Sequence, residues 1–162
     1  MGAGTIEGIF IAGEEGGPVR SVDDVRAVAG RGLEGDRYFA ATAGPWVREG
    51  EGRDVTLIEA EALEGLAADT GIDLAPGASR RQVVTRGLAL NDLVGRRFRI
   101  GDVEVVGREL ADPCRHLEQL TRDGVLKGLV NRGGLRAEIL EDGEISVGDA
   151  VTVLDADGAV TA

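Results

Sequence analysis

Cys114 and His116 are the only cysteine and histidine in the 162-residue chain, and Arg115 alone separates them. A cysteine can act as a nucleophile or a soft metal ligand, and in both roles the thiolate is the working form. Asp112 is a good N-cap residue and Pro113 suits the first helical position, so Cys114 is expected in the first turn of a short helix running to about Leu120. Backbone N–H groups, the positive end of the helix dipole and Arg115 would then favour the thiolate. A second reading stays open: Cys114 and Leu117 share a helical face, and a free cysteine is often an inert, buried apolar residue. A single histidine cannot form a metal cluster, so His116 is expected to be solvated or hydrogen-bonded.

The elements that must position these residues are mostly strands. The chain is 43% hydrophobic, has 26 glycines and is only 3% aromatic, a composition of tight turns around a core of Val, Leu, Ile and Ala. Strands are expected over Thr5–Ala12, Ser21–Ala29, Val55–Ile58, Arg80–Gly87 and Val151–Leu154, and within Arg132–Leu140. A hairpin is expected of Arg97–Ile100 and Val103–Leu110 about Gly101-Asp102. Asp142-Gly143 and Ser146–Asp149 read as turns. Glu59–Thr70 has helical spacing of Ala60, Leu63, Leu66 and Ala67, with Gly71 as its stop. Gly30–Arg37 is a glycine-punctuated loop, and Phe39–Gly52 an excursion carrying the only tryptophan, Trp46. The expected fold is mainly β (α+β), a single β-barrel-like domain over residues 1–162 with one or two short helices; a parallel βαβ architecture would need more.

The net charge of -11 argues against nucleic-acid and anionic-membrane partners. Between Ser79 and Arg136, however, twelve basic residues face seven acidic ones, so this segment is +5 and the remainder -16. If the segment forms one face, it should draw an anionic ligand toward Cys114. All but one of the eighteen basic residues are arginine, which suits bidentate recognition of phosphate. No run of roughly 18 apolar residues occurs, no basic and apolar leader stands at the N-terminus, and a lone cysteine suits a reducing compartment; a cytoplasmic location is expected.

Four stretches in order carry a family resemblance: Gly32–Arg37; Arg80–Gly87; Gly95–Gly101; and Pro113-Cys114 with Arg132–Ala137 and Ile145–Asp149 downstream. Together they resemble the MOSC domain, named for the C-terminal domain of molybdenum cofactor sulfurases and found alone as small bacterial proteins. The resemblance implies a β-rich barrel in which Cys114 carries sulfur as a persulfide or ligates molybdenum in a pterin cofactor. It makes Asp36, Arg37, Arg81, Arg86, Arg132 and Arg136 the candidates for binding that anionic cofactor. The chain departs from the family at Tyr38, where many members have a histidine. No pyridoxal-phosphate domain is present, so that cofactor is not expected. The leading expectation is a molybdenum-cofactor-binding component of a reductive oxidoreductase, with electrons from a partner protein. The alternatives are a sulfur carrier loaded by a cysteine desulfurase, and a non-catalytic binding module. The sequence sets no oligomeric state.

Overall fold

The computed structural model describes residues 3–13, 18–36, 54–79, 81–111 and 124–154. Eleven strands occur among them: β1 (Ala3–Ala12), β2 (Val19–Val22), β3 (Asp24–Val28), β4 (Gly32–Leu33), β5 (Val55–Glu59), β6 (Val83–Arg86), β7 (Arg97–Ile100), β8 (Val103–Leu110), β9 (Leu135–Ile139), β10 (Gly143–Ser146) and β11 (Ala150–Val153). The larger sheet has the order β11-β7-β8-β9-β5-β6-β1-β2, and a further pairing of β11 with β1 closes it. Seven strands therefore form a ring, with β2 as a flap beyond β1.

Strand β1 makes that closure possible by changing partner along its length. Ala3–Thr5 pair with β11, whereas Ile9–Ala12 pair with β2, and β6 lies along the other edge from Thr5 to Ile9. A register irregularity between Ile6 and Gly8 bends the strand between these duties.

The α1 helix (Ala60–Thr70) starts and stops close to where the sequence places it, and Gly71 takes the left-handed conformation (φ 76°) that ends it. It joins β5 to β6, which lie parallel. The strand pair is buried on both faces: Leu57 and Val83 enter the barrel core, while Ile58 and Val84 pack outward beneath Ala60, Ala62 and Leu63. This is why the apolar residues Leu57 and Ile58, and Val83 and Val84, stand side by side instead of alternating with polar ones. One βαβ unit thus sits inside an otherwise antiparallel barrel. A short helix, α2 (Val125–Gly128), packs against α1 through Val125, Leu129, Leu66 and Ile72.

Two expectations are corrected. Ser21–Ala29 is not one strand: it breaks at Asp23, with β2 on the edge of the larger sheet beside β1 and β3 in a separate sheet of order β10-β3-β4. Alternation of side chains marks which face is buried and carries no sign of a switch between sheets. The stretch between the Asp142-Gly143 and Ser146–Asp149 turns, to which the sequence reading assigns no element, is strand β10, which takes in Gly143 and Ser146 and pairs with β3; its one buried apolar residue, Ile145, is too little for a strand pattern.

The small sheet is fastened to the barrel around Asp54. Gly30 N–H donates to the Ile139 carbonyl (3.3 Å), Ile139 N–H donates to Asp54 Oδ2 (2.8 Å), and Asp54 N–H donates to the Ala137 carbonyl (3.1 Å). Gly32, at φ 111°, lies so close to the Asp54 carbonyl that a Cβ there would stand 2.8 Å from its oxygen. Burial pushes the Asp54 carboxyl up; the Ile139 amide opposes this, Glu138 adds repulsion, and the Gly30 amide opposes again. The stability tied to a raised carboxyl is fully present below its unfolded value and is lost as pH rises through its folded one. Asp54→Asn removes that titration. Wild-type stability relative to Asp54→Asn should therefore fall as pH rises above about 4, as measured by urea unfolding; a difference that does not change with pH would show that the carboxyl is not raised by folding.

Candidate functional site

The segment carrying Cys114 and His116 leaves the described chain at Ala111 and rejoins it at Gly124, and the segment carrying Arg37, Tyr38 and Trp46 leaves at Asp36 and rejoins at Asp54. These five residues lie outside the described residues. The strand ends to which both segments attach are well defined, and polar side chains hold them.

Asp36 and Gln82, each 1% exposed, form a buried network. Ala12 N–H donates to Asp36 Oδ1 (3.1 Å), and Gln82 Nε2 donates to Asp36 Oδ2 (3.0 Å). Gln82 Oε1 accepts from Thr56 N–H (2.8 Å), and its carbonyl accepts from Phe10 N–H (2.7 Å). The two side chains thereby join the end of β1, β5 and the approach to β6 to the point where the chain continues into Arg37. The glycines before Asp36 do adopt positive φ, at Gly30, Gly32 and Gly35. Gly32 uses this freedom to approach the Asp54 backbone.

Arg81 holds the exit toward Cys114. Its Nε–H donates to the Gly133 carbonyl (2.8 Å) and its Nη2 to the Ala111 carbonyl (3.0 Å). Ala111 N–H in turn donates to the Gly134 carbonyl (2.8 Å). Gly134, at φ 119°, lies where a Cβ would strike the Leu57 carbonyl, and the stem of Arg81 passes beside it. The end of β8, the start of β9 and the approach to β6 are thus tied by one guanidinium.

The other arginine candidates have acidic partners. Arg86 meets Glu7 through Nε (2.6 Å) and Glu64 through Nη2 (2.7 Å). These bonds hold its guanidinium well above its ordinary value, and the bond to Arg86 holds the Glu64 carboxyl down. Arg132 reaches Asp69 (2.8 Å) and the Gly128 carbonyl (2.8 Å), and its guanidinium sits against Gly65 of α1. Arg136 meets Glu109 through Nη1 (3.0 Å). Arg108 pairs with Glu138 and Arg97 with Glu104. Of these carboxylates, Glu7, Glu64, Asp69 and Glu138 belong to the acidic remainder of the chain. The +5 segment is therefore not a bare positive face: folding sets much of its charge against carboxylates distant in sequence. Of the described candidates, Arg81 adjoins the Cys114 exit directly, and Arg136 follows Leu135 at the start of β9.

Two residues of consequence escape the sequence reading. Gln82 lies within a motif but has no chemistry to single it out, and Asp54 precedes an apolar strand like many turn residues. Their partners, Asp36 and Thr56 for Gln82 and Ile139 for Asp54, are far away along the chain.

A sequence profile of the MOSC domain matches residues 44–152. Among solved structures, the YuaD protein from Bacillus subtilis superposes with a TM-score of 0.77 at 18% identity, over 92% of this chain and 94% of that one. YiiM from Escherichia coli superposes with a TM-score of 0.67 at 19% identity, over 97% of this chain and 73% of that one. YiiM from Geobacillus stearothermophilus gives 0.68 at 16%, over 97% and 79%. At these identities the likeness establishes the fold. No curated protein matches the chain.

Replacing Asp36 with Ala would leave the Ala12 N–H and Gln82 Nε2 buried without their acceptor. The expected loss is about 2–6 kcal/mol in urea unfolding, since each of the two stranded donors costs about 1–3 kcal/mol. Arg26→Ala, which breaks an exposed 3.7 Å contact with Asp142, should cost less than about 1 kcal/mol.

Proposed function

The chain belongs to the MOSC domain family, and from that premise we propose that it binds a molybdenum-pterin cofactor through Cys114 and works as the reductive component of an oxidoreductase, with electrons delivered by a partner protein. The observation that supports this reading most is the family match over residues 44–152, which includes Pro113-Cys114. The family is linked to the molybdenum cofactor, and the chain's own donors suit that group.

Among the described residues no three His, Cys, Asp or Glu side chains are grouped to hold a metal. A metal brought in by an organic dithiolene needs only one further protein ligand, and thiolate is the soft donor it prefers. The chain has one cysteine for that role. Bound there, the cofactor would supply two-electron redox chemistry. Arg136, half-buried and bonded to Glu109 through Nη1, is the side chain we assign to its phosphate. Arg81 keeps the chain in place at Ala111. Asp36 fixes the backbone that leads into Arg37, a further candidate for the phosphate.

A sulfur-carrier reading is favoured by the same single cysteine, because a persulfide on Cys114 has no second cysteine in the chain with which to collapse into an internal disulfide. The desulfurase persulfide would yield its outer sulfur to the Cys114 thiolate and depart as a thiolate.

Protein purified from a host that makes the cofactor should contain molybdenum and pterin, and Cys114→Ser should contain neither while unfolding like wild type. Arg136→Ala should bind the pterin cofactor about tenfold or more weakly, the loss of a charge-assisted bond of about 1.5–3 kcal/mol. Labile sulfur on wild type without molybdenum, absent from Cys114→Ser, would move the assignment to the sulfur carrier. Wild-type loading of Cys114→Ser would remove Cys114 from either mechanism.

A further inference from the structure

We propose that residues 87–93 form a plug seated in one mouth of the barrel, and that the Glu59 carboxyl is its pH-sensitive latch: when that carboxyl ionises, the plug loosens while the barrel stays folded. The device does not depend on what the protein binds and goes beyond the preceding reading.

Three leucines make the segment a plug. Leu88, Leu90 and Leu93 are buried and join Leu57, Val105 and Leu135 in the apolar core of the barrel. The short turn Leu90–Leu93 packs against β5, β8 and β9, and Gly107 of β8 makes room for it, since a Cβ there would strike the Leu93 carbonyl. Gly87 (φ 82°) and Gly95 (φ 79°) bound the plug, both in the left-handed conformation, and glycine absorbs a backbone rotation at the least steric cost.

Side chains hold the plug to its rim at three points. Leu90 N–H donates to Glu59 Oε2 (3.1 Å), Gly87 N–H donates to Glu61 Oε2 (2.8 Å), and Asn91 Nδ2 donates to the Asn131 carbonyl (2.8 Å). Asn131, at φ 66°, is the only left-handed residue other than glycine among the described residues. Such a conformation persists where its surroundings hold it, and here the bond from Asn91 does so. The plug thereby also secures the chain that leads into β9.

Ionisation works against the Glu59 bond. Glu59 ends β5 half-buried, with Glu61 of α1 and Asp92 of the plug itself as its charged neighbours. Thr85 lies beside it on β6; Arg86, the next residue, is engaged by Glu7 and Glu64, and Arg132 by Asp69. Burial pushes the Glu59 carboxyl up, the Leu90 amide opposes this, and Glu61 and Asp92 push it up again. Withdrawing the plug removes Asp92 and admits water, so an ionised Glu59 favours the open position. The stability tied to a raised carboxyl is fully present below its unfolded value and is lost as pH rises through its folded one. The plug is therefore held in acid and loosened as pH rises.

The test is amide hydrogen exchange in wild type and in Glu59→Gln, which keeps an acceptor for Leu90 N–H and cannot ionise. Dividing each rate by the intrinsic rate of that amide at the same pH gives its protection. Between about pH 4 and about pH 8, protection at Leu90 and Arg96 of wild type should fall about threefold or more relative to the ladder amides of β8, and the ratio in Glu59→Gln should stay constant. A wild-type ratio that does not change with pH, or one that changes equally in Glu59→Gln, would overturn the proposal. Should Glu59→Gln not fold, wild type alone decides: the Glu59 carboxyl titrated by NMR should share its midpoint with the loss of protection at Leu90, and separate midpoints would overturn the latch. Asp92→Asn, at an exposed position, should lower that shared midpoint, and an unmoved midpoint would overturn the part given to Asp92.

Discussion

A buried carboxylate accepting from a buried amide, Asp36 from Gln82, joins the parts of this molecule that strand pairing alone leaves separate. Asp36 reaches the end of β1 through Ala12, while Gln82 reaches β1 through Phe10 and β5 through Thr56. In a low-dielectric interior such a network is worth having only when each of its groups finds a partner, since a stranded donor costs more than a formed bond contributes. Here the two side chains answer two backbone N–H groups, those of Ala12 and Thr56, and each other, while the Gln82 main-chain carbonyl answers Phe10. The chain's departure into residues 37–53 is anchored by one of them, so the barrel's integrity and the placement of that departure share a single cause.

Barrel closure shapes the rest. For the ring to close, β1 must serve β11 near its start and β2 near its end, and the irregularity at Ile6/Gly8 lets it do both. The α1 helix seals the outside of β5 and β6, which explains the two-sided burial of that pair and gives the barrel one parallel contact. Arg81 and Asp54 then tie strand ends that are neighbours across the barrel: Arg81 spans the approach to β6, the end of β8 and the start of β9, and Asp54 joins β5 to β9 beside the small sheet. Both are polar side chains satisfying backbone groups at places where the ladders stop, the position where a buried sheet most needs them.

Arginine has two different uses in this chain. Arg86, Arg97, Arg108, Arg132 and Arg136 meet carboxylates, at contacts between 2.6 and 3.4 Å. These pairs are largely exposed, and such pairs contribute little stability singly. Their consequence for function is electrostatic: they spread the positive charge of residues 79–136 among acidic neighbours and reduce the field it could present to an anion. Arg81 braces two main-chain carbonyls at once, Gly133 and Ala111, where Arg132 reaches one, and holding two is a geometric task that the guanidinium fork performs and a point charge does not.

Taken alone, the sequence determined the features that a local pattern can encode. The extent of α1 follows from helical spacing and Gly71, the β7–β8 hairpin from two apolar runs about Gly101-Asp102, and the β-rich class from many short runs punctuated by glycine. It also singled out Cys114, because a unique residue type needs no geometry to be noticed. Only the tertiary structure decided which strands close the expected barrel, that the chain changes sheet at Asp23, that Gly143–Ser146 is a strand, and that Arg86 answers Glu7 and Glu64 while Arg81 answers Ala111 and Gly133. The physical reason is that periodicity reports which face of a segment is buried, and that is a property of neighbouring residues. A hydrogen-bond or ion-pair partner is a property of two segments brought together by the whole fold, and an arginine or aspartate has the same letters whichever partner it finds.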